Sequence, residues 1–135
     1  MSLDSNLDHA AAVAAQTILT GIGEKKWGDA ETLIRKCLGV LQENGVFAAV
    51  LYLSTRKDKK EAEPAEAISC QLIALAEKVA APSPRPPKAG PAPGNPKLAR
   101  LEYLTRDVTC NIHTLLLVKS LWEQALIYAR YGAKL

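Results

Sequence analysis

The chain has 135 residues, 48% of them apolar and 23% charged, with a mean hydropathy of -0.02 and a formal net charge of +3. That is the size of one domain, with enough apolar matter for a core without disulfides or metal, and no uncharged stretch approaches the length of a membrane span. The mild positive charge permits nucleic-acid binding without arguing for it.

Ala and Leu dominate and aromatics are few (Phe47, Trp27, Trp122 and four Tyr), which favours helices over sheets. Asp4 or Ser5 is expected to cap a first helix, with Asp8 completing a capping box. Alanines 10, 11, 12, 14 and 15 with Val13, Ile18 and Leu19 make that helix slim, apolar on most sides and central, and Gly21 and Gly23 end it. No signal peptide is expected, because Asp4 and Asp8 precede the apolar run with no basic region before them.

After the connector at 24–28, Asp29 is expected to cap a second helix whose buried stripe is Leu33, Ile34, Cys37, Leu38 and Leu41. Asn44-Gly45 stops it and turns the chain. Residues 46–56 have strand-like content, yet Val46, Ala49, Val50 and Leu53 fit a helical stripe and no partner strand exists in the sequence, so a third helix is expected. A charged loop carrying Arg56, Lys57, Lys59 and Lys60 follows, and a fourth helix restarts at Pro64 with Ile68, Leu72, Leu75, Ala76 and Val79 on its buried face.

Residues 82–96 hold seven prolines and read as an extended connector reaching roughly 45 Å at most. The span 98–132 has neither proline nor internal glycine. Leu101, Leu104, Val108, Ile112, Leu115, Trp122, Leu126 and Ala129 recur at helical spacing, so a long closing helix is expected, with a break at 105–109. The fold is therefore all-α: a single-domain bundle, 1–135, of about five helices with a long C-terminal helix.

Cys37, Cys70 and Cys110 are widely spaced and read as small buried hydrophobes in a reducing, cytoplasmic compartment. With two histidines and no Cys-x-x-Cys, no zinc set assembles, and neither His9 nor His113 follows a Glu by three residues as a di-iron bundle needs. His113 runs into Thr-Leu-Leu-Leu-Val, an apolar setting unlike that of a phosphotransfer histidine. No catalytic residue, cofactor or small-molecule substrate is expected.

One catalytic pattern remains as an alternative. Arg106 and His113 lie nearly two helical turns apart, with Asp107 directly after the arginine. This resembles the Arg-x(4–6)-His motif of the helical HEPN ribonucleases, where imidazole moves a proton and guanidinium meets phosphorane charge.

The local excesses of positive charge are Lys25 with Lys26, and Arg56, Lys57, Lys59 and Lys60. Both clusters sit at helix ends, where long cations reach phosphates without disturbing packing. Two stretches carry a further likeness. The first runs from Lys26-Trp27-Gly28 through Leu33-Ile34 and Gln42-Glu43-Asn44-Gly45-Val46 to Ala49-Val50-Leu51-Tyr52-Leu53-Ser54. The second is Leu117, Leu121, Trp122 and Gln124-Ala125-Leu126 to Ala129-Arg130. Together they resemble the small α-helical subunit of the type III-B CRISPR (RAMP-module) effector complex, departing from it in the Pro-rich insert and in Val46, where leucine is usual.

The resemblance implies a non-catalytic bundle that stacks in copies of itself, beside other effector subunits, along the groove where guide RNA pairs with target RNA in antiviral defence. Lys25, Lys26, Arg56 and Lys57 flank the matching motif, and Arg130 takes the basic position of the last helix. Lys59, Lys60, Arg106 and Lys119 are further candidates for the RNA backbone. An all-α protein–protein adaptor with no RNA role is the plain third reading.

Overall fold

A computed structural model describes residues 3–79 and 95–135. The expected Pro-rich connector lies outside the described residues, apart from its last two positions. Within the described residues there are six α-helices and no strand: α1 (Leu3–Ile22), α2 (Trp27–Asn44), α3 (Val46–Ser54), α4 (Lys59–Val79), α5 (Pro96–Tyr103) and α6 (Ile112–Gly132). A 3₁₀ turn at Glu24–Lys26 leads into α2, and a π-helical segment, Leu104–Val108, links α5 to α6.

The last helix organises the bundle. Val118, Leu121, Trp122, Ala125, Leu126 and Ala129 repeat at three and four along α6 and are buried. That stripe packs on α1, α2 and α4. Helix α1 contributes Ala11, Ala14, Ala15, Ile18 and Leu19 to the core, while Val13, Gln16 and Thr17 face solvent. It is thus buried along one face and is not the central rod that its alanines suggest. Small side chains let α1 and α6 close tightly at one end: a Cβ on Gly132 would stand 2.4 Å from Leu19 Cδ1. The stripes expected for α2, α3 and α4 are all at the core, with only Val79 at its margin.

Boundaries differ from expectation where local hydrogen bonds decide. Helix α1 is already formed at Leu3, so Asp4 and Ser5 stand in its first turn. It ends at Gly23, whose N–H still reaches the Leu19 carbonyl and whose φ of 87° then turns the chain out of the helix, and Gly21 stays helical. Asp29 occupies the first turn of α2, favourable to the helix dipole, and Lys26 holds the cap position without a side-chain bond.

Helix α4 begins at Lys59, where the Asp58 carbonyl accepts from Glu61 and Ala62, so Pro64 lies inside the helix instead of opening it. Its missing N–H forfeits only a bond to the opening turn. Asn95 caps α5 by accepting from the Lys97 N–H at 3.0 Å, and Pro96 is the first helical residue, not the end of the connector.

The break expected at 105–109 is present, and it splits the single closing helix in two. Leu104 and Val108 are fully buried, Thr109 N–H bonds back to the Leu104 carbonyl, and Asn111 recaps the chain by accepting from the His113 and Thr114 N–H groups. The restart re-phases the helix, leaving Ile112, placed on the buried stripe by spacing alone, 65% exposed.

Gly45 joins α2 to α3 at φ 97°, ψ -174°, a backbone region that side chains of L-residues disfavour. Space around it is open, so Gly45→Ala isolates the backbone penalty. The expected loss is about 1–3 kcal/mol, read as an earlier urea midpoint at unchanged slope.

Candidate functional site

Tertiary folding gathers the two basic clusters, separate in sequence, at the start of α4. Lys26 forms an ion pair with Glu63, and the Arg56 guanidinium faces Glu61 at 3.7 Å. Both carboxylates belong to the opening turns of α4, so the connector before α2 and the loop after α3 meet there. Lys25 and Lys57 are exposed and take part in no ion pair among the described residues. Lys59 and Lys60 open α4, and their side chains lie outside the described set.

Arg130, on the last turn of α6, approaches Glu31 of α2 with Nε 3.4 Å from Oε1, close enough for ionic attraction without a formed hydrogen bond. Because α2 starts directly after the turn bearing Lys25 and Lys26, Arg130 belongs to the same region. Arg106 and Lys119 do not. Arg106 precedes α6, whose 21 residues span roughly 30 Å. Lys119 is half-buried in the first half of that helix.

The gathered cations are not equivalent. Arg56 works as a structural clip: its Nε–H donates to the Tyr52 carbonyl at 3.2 Å, Nη2 donates to Thr55 Oγ1 at 3.1 Å, and the guanidinium lies 4.2 Å from the Tyr52 ring centroid. Lys26 holds the Glu63 carboxyl below its ordinary range, first by hydrogen bonding and then by charge. Such exposed pairs are screened by solvent and contribute little, so an incoming anion can displace them. Lys25 and Lys57, with no ion pair among the described residues, can meet one directly. Over residues 24–26 and 56–63 the sequence sets six cations, Lys25, Lys26, Arg56, Lys57, Lys59 and Lys60, against four anions, Glu24, Asp58, Glu61 and Glu63, a modest positive excess.

The pairing of Arg106 with His113 loses its geometric basis. The arginine lies in the π-helical segment, held by Asp107 at 2.8 Å through Nε and 2.7 Å through Nη2. His113 lies beyond the Thr109–Asn111 break, on α6. No continuous helix carries both, so the one-face argument from spacing does not apply. His113 is also exposed, contrary to the apolar setting its neighbours suggest.

Sequence reasoning missed a polar cluster between α4 and α5. Arg100 donates to Glu66 through both terminal nitrogens, at 2.9 and 2.8 Å, and only 11% of its side chain is exposed. Its Nη1 also lies 3.9 Å from the Cys70 sulfur. The Arg100 bonds hold the Glu66 carboxyl low, while burial and Glu66 raise the Cys70 thiol. Arg35 and Lys36, exposed on α2, were also overlooked, although both fall outside the Leu33, Ile34, Cys37 and Leu38 stripe.

Of the cysteines only Cys37 is buried, which pushes its thiol up to about 12 and makes it inert. Cys70 and Cys110 are exposed: one lies on the outer side of α4, the other in the break before α6. No group of His, Cys, Asp or Glu among the described residues is arranged to hold a metal ion. A shallow groove of about 210 Å³ between α1 and α6 is lined by Leu7, Asp8, Leu117, Ser120, Leu121 and Gln124, with Asp8 accepting a hydrogen bond from Tyr128 nearby. No described helix is long and apolar enough to cross a membrane.

No protein-family model, curated protein or solved structure matches this chain.

Proposed function

We propose that this chain is a non-catalytic, RNA-backbone-binding subunit of a cytoplasmic CRISPR ribonucleoprotein, the small helical subunit of a type III-B (RAMP-module) complex. Copies stack beside the guide–target duplex, in contact with other effector subunits. One observation supports it most. Lys25, Lys26, Arg56 and Lys57 come from two helix ends to one place, and two of the four carry no competing carboxylate among the described residues. Flexible cations grouped on loops at a bundle end suit phosphate contacts that ignore base sequence. The assignment to this complex rests on the resemblance around Lys26-Trp27-Gly28 and the Asn44-Gly45 turn.

A lone copy makes few phosphate contacts and binds weakly, whereas aligned copies multiply them. The test is reconstitution with RAMP-type RNA-binding subunits, guide RNA and target RNA. The chain is expected to co-purify with the complex and to increase target retention in a salt-dependent, sequence-independent way. Failure to join the complex overturns the assignment. So does metal-independent RNA cleavage by the purified chain that Arg106→Ala or His113→Ala abolishes, which would install the ribonuclease reading instead.

A further inference from the structure

We propose that α5 is a releasable strap, hinged on the π-helical segment and closed by two charged clamps, so that ionic competition opens it while the rest of the bundle stays folded. No residue of α5 is buried. Its apolar contacts with the core, Leu101 and Tyr103, fall in its second half near the hinge, while Leu98 toward its N-terminal end is 49% exposed. What holds the outer part is polar. Lys97 Nζ donates to the Ser54 carbonyl at the end of α3, at 3.1 Å, and Arg100 grips Glu66 of α4 with two hydrogen bonds.

The hinge differs in kind. Leu104 and Val108 are wholly buried and pin that segment to the core. Its wider hydrogen-bond spacing, Thr109 N–H to the Leu104 carbonyl, interrupts helical continuity at that point. Rotation there leaves the α6 stripe undisturbed.

The clamps are open to ionic competition. The Glu66 side chain is 46% exposed, so salt reaches the carboxylate that Arg100 needs. Arg100 Nε is buried without an acceptor, a cost of the closed position that opening relieves. Release bares the end of α3 and the side of α4 around Glu66 and Cys70. A strap held by packing would ignore salt, and this one depends on it.

Hydrogen–deuterium exchange of the full chain tests the proposal, with wild type and Glu66→Gln each compared at ~50 and ~500 mM NaCl, since added salt shortens the range of charge attraction. Amides of residues 99–103 are expected to exchange roughly tenfold faster in Glu66→Gln, and in wild type at high salt, with those of residues 118–129 unchanged. Equal acceleration of both regions would make α5 an integral part of one cooperative unit and overturn the strap. No acceleration of 99–103 under either condition overturns it as well. Should Glu66→Gln fail to fold, the wild-type salt comparison decides alone.

Discussion

Replacing Trp122 by alanine is expected to destabilise the protein by about 3–5 kcal/mol, the range for emptying a buried aromatic site. Trp122 is completely buried on the face of α6 that meets α1, α2 and α4, so its removal opens a void no single neighbour can fill. Against a total stability of roughly 5–15 kcal/mol, the loss removes about a fifth or more and lowers the thermal midpoint by roughly 10–20 °C. Trp122→Phe is expected to be much milder. The indole Nε1 is buried without an acceptor, and phenylalanine deletes that unsatisfied donor while keeping most of the ring volume. Calorimetry on both variants checks the pair of values. A cost below about 1 kcal/mol for the alanine variant would mean that α6 is not the packing centre.

Charge reversal at Lys25 and Lys57 together is expected to weaken RNA retention in the assembled complex about a hundredfold or more. Each lost phosphate contact removes about 0.7–0.9 from the slope of log affinity against log salt, so the double variant should flatten that slope by nearly two. On the proposed function these lysines are expected to matter more than Arg56, which is already committed to the Tyr52 carbonyl, the Tyr52 ring and Glu61. Lys119→Gln, half-buried along α6 and apart from the cluster, should leave both affinity and slope nearly unchanged. Filter binding across a salt series distinguishes these outcomes. Equal loss from Lys119→Gln would dissolve the idea of a localised phosphate-binding region.

Much of the architecture was readable because the stripes of α2, α3 and α4 obey one period from end to end. The interruption near 105–109 was readable from its β-branched and polar content. The new phase of the following helix was not, since spacing carried across a break assumes a continuity that the Asn111 cap ends. Two boundary signals were present and passed over: Asn95 before Pro96, and Asn111 before α6. Exposure of Cys70 was also legible. It stands two residues after buried Ile68, about 200° around the helix axis. The meeting of the basic clusters was beyond reach of sequence, because it depends on which helix ends become neighbours. So was the bond from Arg100 to Glu66, which links residues 34 positions apart.

The π-helical turn at Leu104–Val108 also gives this chain a spare residue. Deleting exposed Thr105 would restore ordinary winding there and roll α5 by about 100° relative to the buried Val108 end of the segment. Arg100 would then point away from Glu66, and Asn95 would launch its helix in another direction. That surplus works as a vernier between two independently indexed halves of the closing segment, and one deleted codon would reset it.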